Sequence, residues 1–236
     1  MPVQPPRAAL TASATDTARL SGVGFGYADG PGVLRDVNLI LPAGSFHFLT
    51  GPAGSGKSTL LKLLTLEARP TAGRVELFGE DAGSPSRAAR AGFRRRMGLI
   101  LQDLRLLDHL SAFDNAALPL RLAGGKREGY AGDVMEILDW VGLGGRGEDR
   151  PPALSGHEKR RLVFARAVVT SPELIIADEP TGGLDSATGG RLLKLFQAMN
   201  RVGTTVLIAS HDEALAKASG ASVLRLREGR VVGGGA

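Results

Sequence analysis

The stretch Gly51-Pro52-Ala53-Gly54-Ser55-Gly56-Lys57-Ser58-Thr59 restricts what this chain can become more than any other part of it. Two glycines bracket a short run and are followed at once by a lysine and a hydroxyl residue, the G-x-x-x-x-G-K-[ST] spacing of a phosphate-binding loop. Upstream, Phe46-His47-Phe48-Leu49-Thr50 reads as a short buried strand; downstream, Leu60, Leu61, Leu63 and Leu64 form the apolar stripe of a helix. A strand, a glycine loop and a helix start aim successive backbone N–H groups at one anion. The glycines let the main chain pass close to that anion without a Cβ in the way. In such a loop Lys57 reaches the β- and γ-phosphates of a nucleoside triphosphate, and the Ser58 hydroxyl is placed to ligate Mg²⁺. The rival reading is a glycine-rich turn before an ordinary helix, and the complete motif in this setting weighs heavily against it.

The rest of the chain is long enough to build a fold around that loop. At 236 residues it can bury a large core. A hydrophobic share of 43% with 22% charged residues is that of a soluble globular protein. With no cysteine, disulfides, thiolate metal sites and cysteine nucleophiles are excluded. No apolar run has the length of a membrane span. Residues 1–18 have no apolar core of the secretory type and are expected to form a flexible tail ahead of one domain over 19–236. The net charge of +5 raises nucleic acid or an anionic membrane surface as partners. Its local concentrations, Arg94-Arg95-Arg96 and Lys159-Arg160-Arg161, are not interleaved with aromatic residues as a base-stacking surface would be, so no nucleic acid is expected.

Strand and helix periods alternate along most of the sequence. Leu20–Tyr27 and Val37–Leu41 read as strands, the second closed by Pro42-Ala43-Gly44. Arg74–Phe78 alternates to Gly79, a basic helix follows over Arg87–Arg96, and Met97–Leu101 is an apolar run suited to a buried parallel strand. From about 103 to 165 the pattern turns helical, with Val134, Ile137, Leu138 and Val141 at i, i+3, i+4, i+7. Strand–helix alternation resumes with Leu174–Ala177, a helix using Leu192, Leu195, Phe196 and Met199, and a strand over Thr204–Ala209. A terminal hairpin over Val223–Val232 turns at Glu228-Gly229. The expected fold is α/β: a parallel-sheet core with a helical subdomain inserted at about 103–165.

Three of these strands end in polar residues suited to phosphate chemistry. Leu174–Ala177 runs into Asp178 and Glu179, so a buried strand delivers Asp178 to the carboxyl edge of the sheet and sets Glu179 to polarise a water. A solvated turn is the plainer reading of paired acids, but four apolar residues lead directly into these. Gln102 follows Met97–Leu101, and His211 follows Thr204–Ala209. A lone histidine is usually structural; one that shares a sheet edge with a glutamine and an acid pair is a stronger candidate.

On these residues the chain resembles the ATP-binding cassette ATPases over nearly its whole length. Gly51–Thr59 is similar to their Walker A loop, Leu174–Glu179 to Walker B, Gln102 to the Q-loop, Thr181–Asp185 to the D-loop, and His211 to the switch histidine. The resemblance implies a P-loop NTPase with a RecA-like core and an antiparallel β edge. It implies ATP and Mg²⁺, with Glu179 as general base, His211 as γ-phosphate sensor, and Ser58, Gln102 and Asp178 toward the metal. Tyr27 matches the aromatic that stacks on adenine; the alternative is a tyrosine at a strand end. Leu154-Ser155-Gly156-His157 stands where the family has Leu-Ser-Gly-Gly. That loop and Asp185 would act in trans, on the ATP of a second copy, which implies a homodimer in the ATP-bound state. His157 either crowds the phosphate or pairs with it. The cations at 159–161 oppose a helix N-terminus and suit an anion docked there.

Gln102–Asn115, together with Ser45–Pro52, is similar to the cell-division ATPases of this family. That implies a peripheral protein on the inner face of the cell membrane, bound through 102–115 to an integral membrane partner whose movement activates septal cell-wall hydrolases. Leu106, Leu107, Leu110 and Phe113 either line the docking groove or pack the helical lobe. An ATPase of the lipoprotein-release or macrolide-efflux type, and a non-hydrolysing ATP-gated clamp, share the nucleotide motifs. His157, Lys159, Arg160 and Gly183 depart from the family pattern.

Overall fold

The computed structural model describes residues 16–27, 32–182 and 184–232. Most of the expected tail, and Gly183, lie outside them. In chain order the elements are β1 (Ala18–Gly26), β2 (Gly32–Leu41), β3 (Phe46–Thr50), α1 (Lys57–Leu64), β4 (Ala72–Leu77) and β5 (Glu80–Asp81). There follow α2 (Arg87–Arg95), β6 (Met97–Ile100), α3 (Ala112–Leu122), α4 (Arg127–Trp140), a 3₁₀ turn at Pro151–Ala153 and α5 (Gly156–Val168). The last part runs β7 (Leu174–Asp178), α6 (Ser186–Arg201), β8 (Thr205–Ala209), α7 (Glu213–Ser219), β9 (Ser222–Arg227) and β10 (Arg230–Val232).

Two sheets result. One is antiparallel, in the order β2-β1-β4-β5; the other runs β10-β9-β3-β8-β7-β6 and is parallel from β9 to β6. Parallel strands covered on both faces need apolar residues at nearly every position, which is why Leu174–Ala177 and Val206–Ala209 are unbroken apolar runs and β3 departs from one only at His47 and Thr50. Alternation divides them between two cores. Phe48, Ile175, Ala177, Val206 and Ile208 join the cluster that includes α3, α4 and α5. Leu49, Leu174, Ile176, Leu207 and Ala209 join the cluster built on α1 and the antiparallel sheet. Fully buried Phe48 and Leu49 each contribute roughly 1.5–3 kcal/mol.

Register puts the functional candidates on one rim. Leu49 and Asp178 both pair with Ala209, and Ala177 pairs with Ile100. The residues that follow β3, β6, β7 and β8 therefore emerge side by side: the glycine loop, Gln102, Glu179 and His211.

Several boundaries differ from the sequence reading. The fold begins before residue 19: Ala18 is buried, Thr17 N–H donates to the Leu41 carbonyl at 2.8 Å, and the Thr17 and Thr205 hydroxyls are 2.8 Å apart. Strand β2 starts five residues earlier than its alternation suggests. Asp36, at φ 50°, and shifts in the β1–β2 register break the period there. The helical segment runs to Val168, three residues past the expected edge. Helix α7 is too short for periodicity to show; its signal is the cap, with Leu215 N–H donating to Asp212 Oδ1 at 2.8 Å. The terminal hairpin turns where expected, with Glu228 and Gly229 at φ 47° and 76°.

His47 lies buried on β3. Its Nε2 is 2.9 Å from Ser45 Oγ, and its Nδ1 has no hydrogen-bond partner among the described residues. Burial pushes its pKa down, so the folded protein holds the ring neutral. The unfolded chain then binds the extra proton first. Above about pH 6.5 both states are neutral at His47, and as pH falls below it the residue increasingly opposes folding. Chemical denaturation across pH 5–8 should show stability falling on the acid side, and His47→Phe should flatten that fall; an unchanged slope would refute the assignment.

Candidate functional site

The glycine loop leaves β3 at a point where only glycine fits. A Cβ on Gly51 would lie 2.3 Å from the Leu226 carbonyl oxygen of β9, and Gly56 holds φ 106° with a Leu34 methyl 2.9 Å from where its Cβ would be. Gly56 is also the N-cap of α1 and supplies no side chain to its N–H groups. By contrast Ser86, Ser111, Ser155, Asp185 and Asp212 cap α2, α3, α5, α6 and α7 through their side chains. The start of α1 thus keeps its donors and the positive end of its dipole for an anion. Lys57 Nζ arches over the loop, donating to the carbonyls of Gly51 at 2.7 Å and Pro52 at 3.1 Å.

A cavity of about 600 Å³ opens in front of this loop. Ala53, Gly54, Gly56, Lys57, Ser58 and Thr59 form one wall, and Gln102, Asp178, Glu179 and His211 the other. The structure thereby brings together residues from four separate segments: the glycine loop and the ends of β6, β7 and β8. Pro52 is exposed on the outside of the loop and Ser55 is buried within it. Tyr27 is half exposed at the end of β1, its hydroxyl 3.5 Å from Thr59 Oγ1 and its ring edge-on to Phe25. One face of that ring is approached by Lys62 Nζ, 5.9 Å from its centre.

Glu179 is held in an unusual way. Its N–H continues the β7–β8 ladder to the Ala209 carbonyl at 2.9 Å, yet its φ is +46°, a conformation costing about 1–3 kcal/mol outside glycine. The bend turns its carboxylate to the β8 end. There Oε1 accepts from the His211 N–H at 3.0 Å and lies 2.9 Å from His211 Nδ1, while Oε2 accepts from Ser210 Oγ at 3.2 Å. The His211 side chain is otherwise 74% exposed. Ser210 escaped the sequence reading; its signal was adjacency to His211 at the end of an apolar strand.

Asp178 has the opposite environment. Burial pushes its pKa up, the neighbouring Glu179 charge adds to this, and the Ser58 hydroxyl and Lys57 act against it. A carboxylate, a hydroxyl and the Gln102 amide are hard oxygen donors of the kind Mg²⁺ takes, completed by phosphate and water oxygens. Among the described residues no cluster of three or more His, Cys, Asp or Glu is placed to hold a metal ion.

The structure does not bring Ser155, Gly156, His157 or Asp185 to this cavity. Ser155 caps α5 in a reciprocal box: Glu158 N–H donates to its Oγ at 3.3 Å, and its own N–H donates to Glu158 Oε2 at 2.9 Å. Gly156 and His157 are exposed at the helix start. Asp185 caps α6, accepting from the Thr188 hydroxyl at 2.7 Å and the Thr188 N–H at 3.0 Å, and these bonds hold its carboxyl below the usual range. The basic run beside them needs a correction. Arg161 donates to the Val141 and Gly142 carbonyls and Arg160 to that of Gly182, so neither is reserved for an anion. Phe113 is buried in the helical core, with Arg127 stacked on it. Leu106 packs partly against the same core.

Comparison with known proteins agrees with this geometry. The sequence pattern of the family described as "ABC transporter" matches residues 34–182. The chain is 40% identical to the cell division ATP-binding protein FtsE of Escherichia coli K12 over 92% of its own length and 97% of that protein's. It is 38% identical to FtsE of Mycobacterium tuberculosis over 84% of this chain and 86% of the relative. Among solved structures, the dimeric bacterial ABC transporter cassette MJ0796 superposes with a TM-score of 0.84 at 31% identity, covering 91% and 96% of the two chains. A post-hydrolysis dimer of the same cassette, bound to ADP and phosphate, superposes with a TM-score of 0.83.

Asp178→Asn removes a charge that the fold buries at a cost. It should raise the thermal midpoint by a few degrees while abolishing magnesium-dependent ATP turnover, read by calorimetric melting and phosphate release. A lowered midpoint or normal turnover would contradict this reading of Asp178.

Proposed function

We propose a function whose premise is that the chain belongs to the ABC transporter family, as an FtsE-like ATPase that binds and hydrolyses ATP. The proposal is that it is the ATPase subunit of a complex with an FtsX-like integral membrane protein. In that complex ATP turnover moves the partner, which regulates septal cell-wall hydrolysis. The observation that carries the nucleotide half of the reading is the single rim where Lys57, Ser58, Gln102, Asp178, Glu179 and His211 line one cavity.

In this reading the loop 51–59 wraps the phosphates of ATP, its N–H groups and Lys57 Nζ taking the β- and γ-oxygens in place of the Gly51 and Pro52 carbonyls. Ser58, Asp178 and Gln102 would hold Mg²⁺, which would supply positive charge to offset that of the triphosphate. Tyr27 offers its open face to the adenine. Glu179 takes a proton from water as the water oxygen bonds to the γ-phosphorus and the bond to the ADP oxygen breaks. His211 turns from Glu179 to the γ-phosphate, which its exposure permits. A second copy supplies Ser155, Gly156, His157 and Asp185 across a homodimer interface, the reason these residues lie away from their own chain's cavity. Release of Ser155 from Glu158 would free its hydroxyl for that contact.

The membrane partner is assigned to the groove beside the 102–115 segment. A cavity of about 680 Å³ there is floored by apolar residues including Leu99, Leu104 and Leu118 and fringed by Arg95 and Arg105. At its edge Leu122 is 80% exposed, an apolar side chain that a docked helix would cover. No helix among the described residues is long and apolar enough to cross a membrane. The membrane association is therefore proposed as peripheral, on the inner face, through the partner.

Co-expression with a candidate FtsX-like protein tests the whole reading. Glu179→Gln should bind ATP without hydrolysing it and run as a dimer on sizing in ATP, and Leu122→Glu should lose the membrane partner while keeping ATP binding. A solute-stimulated ATPase would favour the efflux-type alternative, and hydrolysis surviving Glu179→Gln would remove Glu179 as base.

A further inference from the structure

Helix α5 carries an arginine contact that the hydrolytic step described above leaves unassigned. Most of its ties hold it within its own lobe: Arg161 donates to the Val141 and Gly142 carbonyls at 3.0 and 2.9 Å, and Arg146 grips Glu158 at 3.0 Å. Arg160 points the other way. Its guanidinium donates to the carbonyl of Gly182, in the turn that leaves Glu179.

That turn has little slack. The Gly182 N–H donates to the Glu179 carbonyl at 3.1 Å, and a Cβ on Gly182 would lie 3.3 Å from the same oxygen. Glu179 itself sits at φ +46°, a conformation that persists only where its surroundings impose it. On one side the β8 ladder imposes it, through Ala209, Ser210 and His211. On the other side the Arg160–Gly182 bond closes the loop. A small cavity of about 260 Å³ lies between them, lined by Gln102, Arg160, Glu179, Pro180 and Gly182 among others. Arg160 also stands in the second turn of α5, where the helix dipole gives a cation no help.

We propose that Arg160 is a positioning residue for ATP hydrolysis: by holding the Gly182 carbonyl it fixes the Glu179–Gly182 turn and ties the direction of the Glu179 carboxylate to the position of α5. This rests on the reading of Glu179 as the general base. Because Ser155–His157 form the start of the same helix, any displacement of α5 at that end reaches the carboxylate through one guanidinium. A neutral side chain of glutamine length would make a weaker bond to the carbonyl, which leaves the base less tightly linked to the helix.

The test compares Arg160→Ala, Arg160→Lys and Glu179→Gln in the full-length chain. The measurements are ATP affinity, steady-state turnover against pH, and thermal melting. Arg160→Ala should lower kcat about tenfold or more, leave the KM for ATP and the melting midpoint at the parent's values, and shift the acid limb of the kcat profile. Arg160→Lys, which retains a cationic donor, should recover part of that loss. If Glu179→Gln is silent while Arg160→Ala turns over like the parent, the positioning role is wrong and the base assignment stands. If Glu179→Gln still turns over, both are wrong. A fall in kcat that comes with lost ATP affinity and a lowered midpoint, and that lysine does not rescue, would mark Arg160 as merely structural and overturn the proposal.

Discussion

Parallel hydrogen bonding among β3, β8, β7 and β6 is the constraint on which the site depends. Because parallel strands share one direction, their carboxyl ends share one rim, and the register sets how far each polar residue projects beyond it. Leu49 and Asp178 facing Ala209 place the glycine loop, the acid pair and the Ser210-His211 turn at one height. A slip of one residue in β7 would turn Asp178 and Glu179 to opposite faces and scatter the cavity. The two apolar clusters that cover the sheet hold that register, since each strand alternates side chains into both.

The strained points of the fold lie on this rim. Glycine is required at Gly51 by the approach of β9, and Glu179 carries a backbone conformation few glutamates adopt. Both are stabilised by neighbours rather than by local preference: Leu226 fixes the path of the loop, and the β8 end and the Arg160–Gly182 bond bracket the acid turn. Helix α5 reaches this turn with Arg160 and, further along, holds the Leu104 and Arg105 carbonyls with Arg166, each at 2.8 Å. One rigid element thus touches both the proposed base and the edge of the proposed docking groove. That offers a short physical path between nucleotide and partner.

Much of this was legible in the sequence because its signals are local. The apolar runs of β3, β6, β7 and β8, the glycine spacing of 51–56 and the hairpin at Glu228-Gly229 each declare themselves within a few residues, and the rim follows once the strands are parallel. What the sequence hid depends on contacts between distant segments. The bulged start of β2 breaks its own period, Thr17 joins the fold through Leu41 and Thr205, and Arg160 and Arg161 look like a free basic patch until their carbonyl partners appear. Phe113 was ambiguous for a related reason, since an apolar residue reads alike in a groove and in a core. Helix α7 is short enough that only Asp212, as its cap, announced it.

The central claim is that the rim of this parallel sheet, through the loop at 51–59, holds the triphosphate. Titrating ATP with magnesium into the purified chain in a calorimeter tests it most directly. The account predicts a saturable heat of binding that Lys57→Ala abolishes or greatly weakens while the protein still melts cooperatively. No heat from the parent chain, or an equal heat from Lys57→Ala, would contradict it.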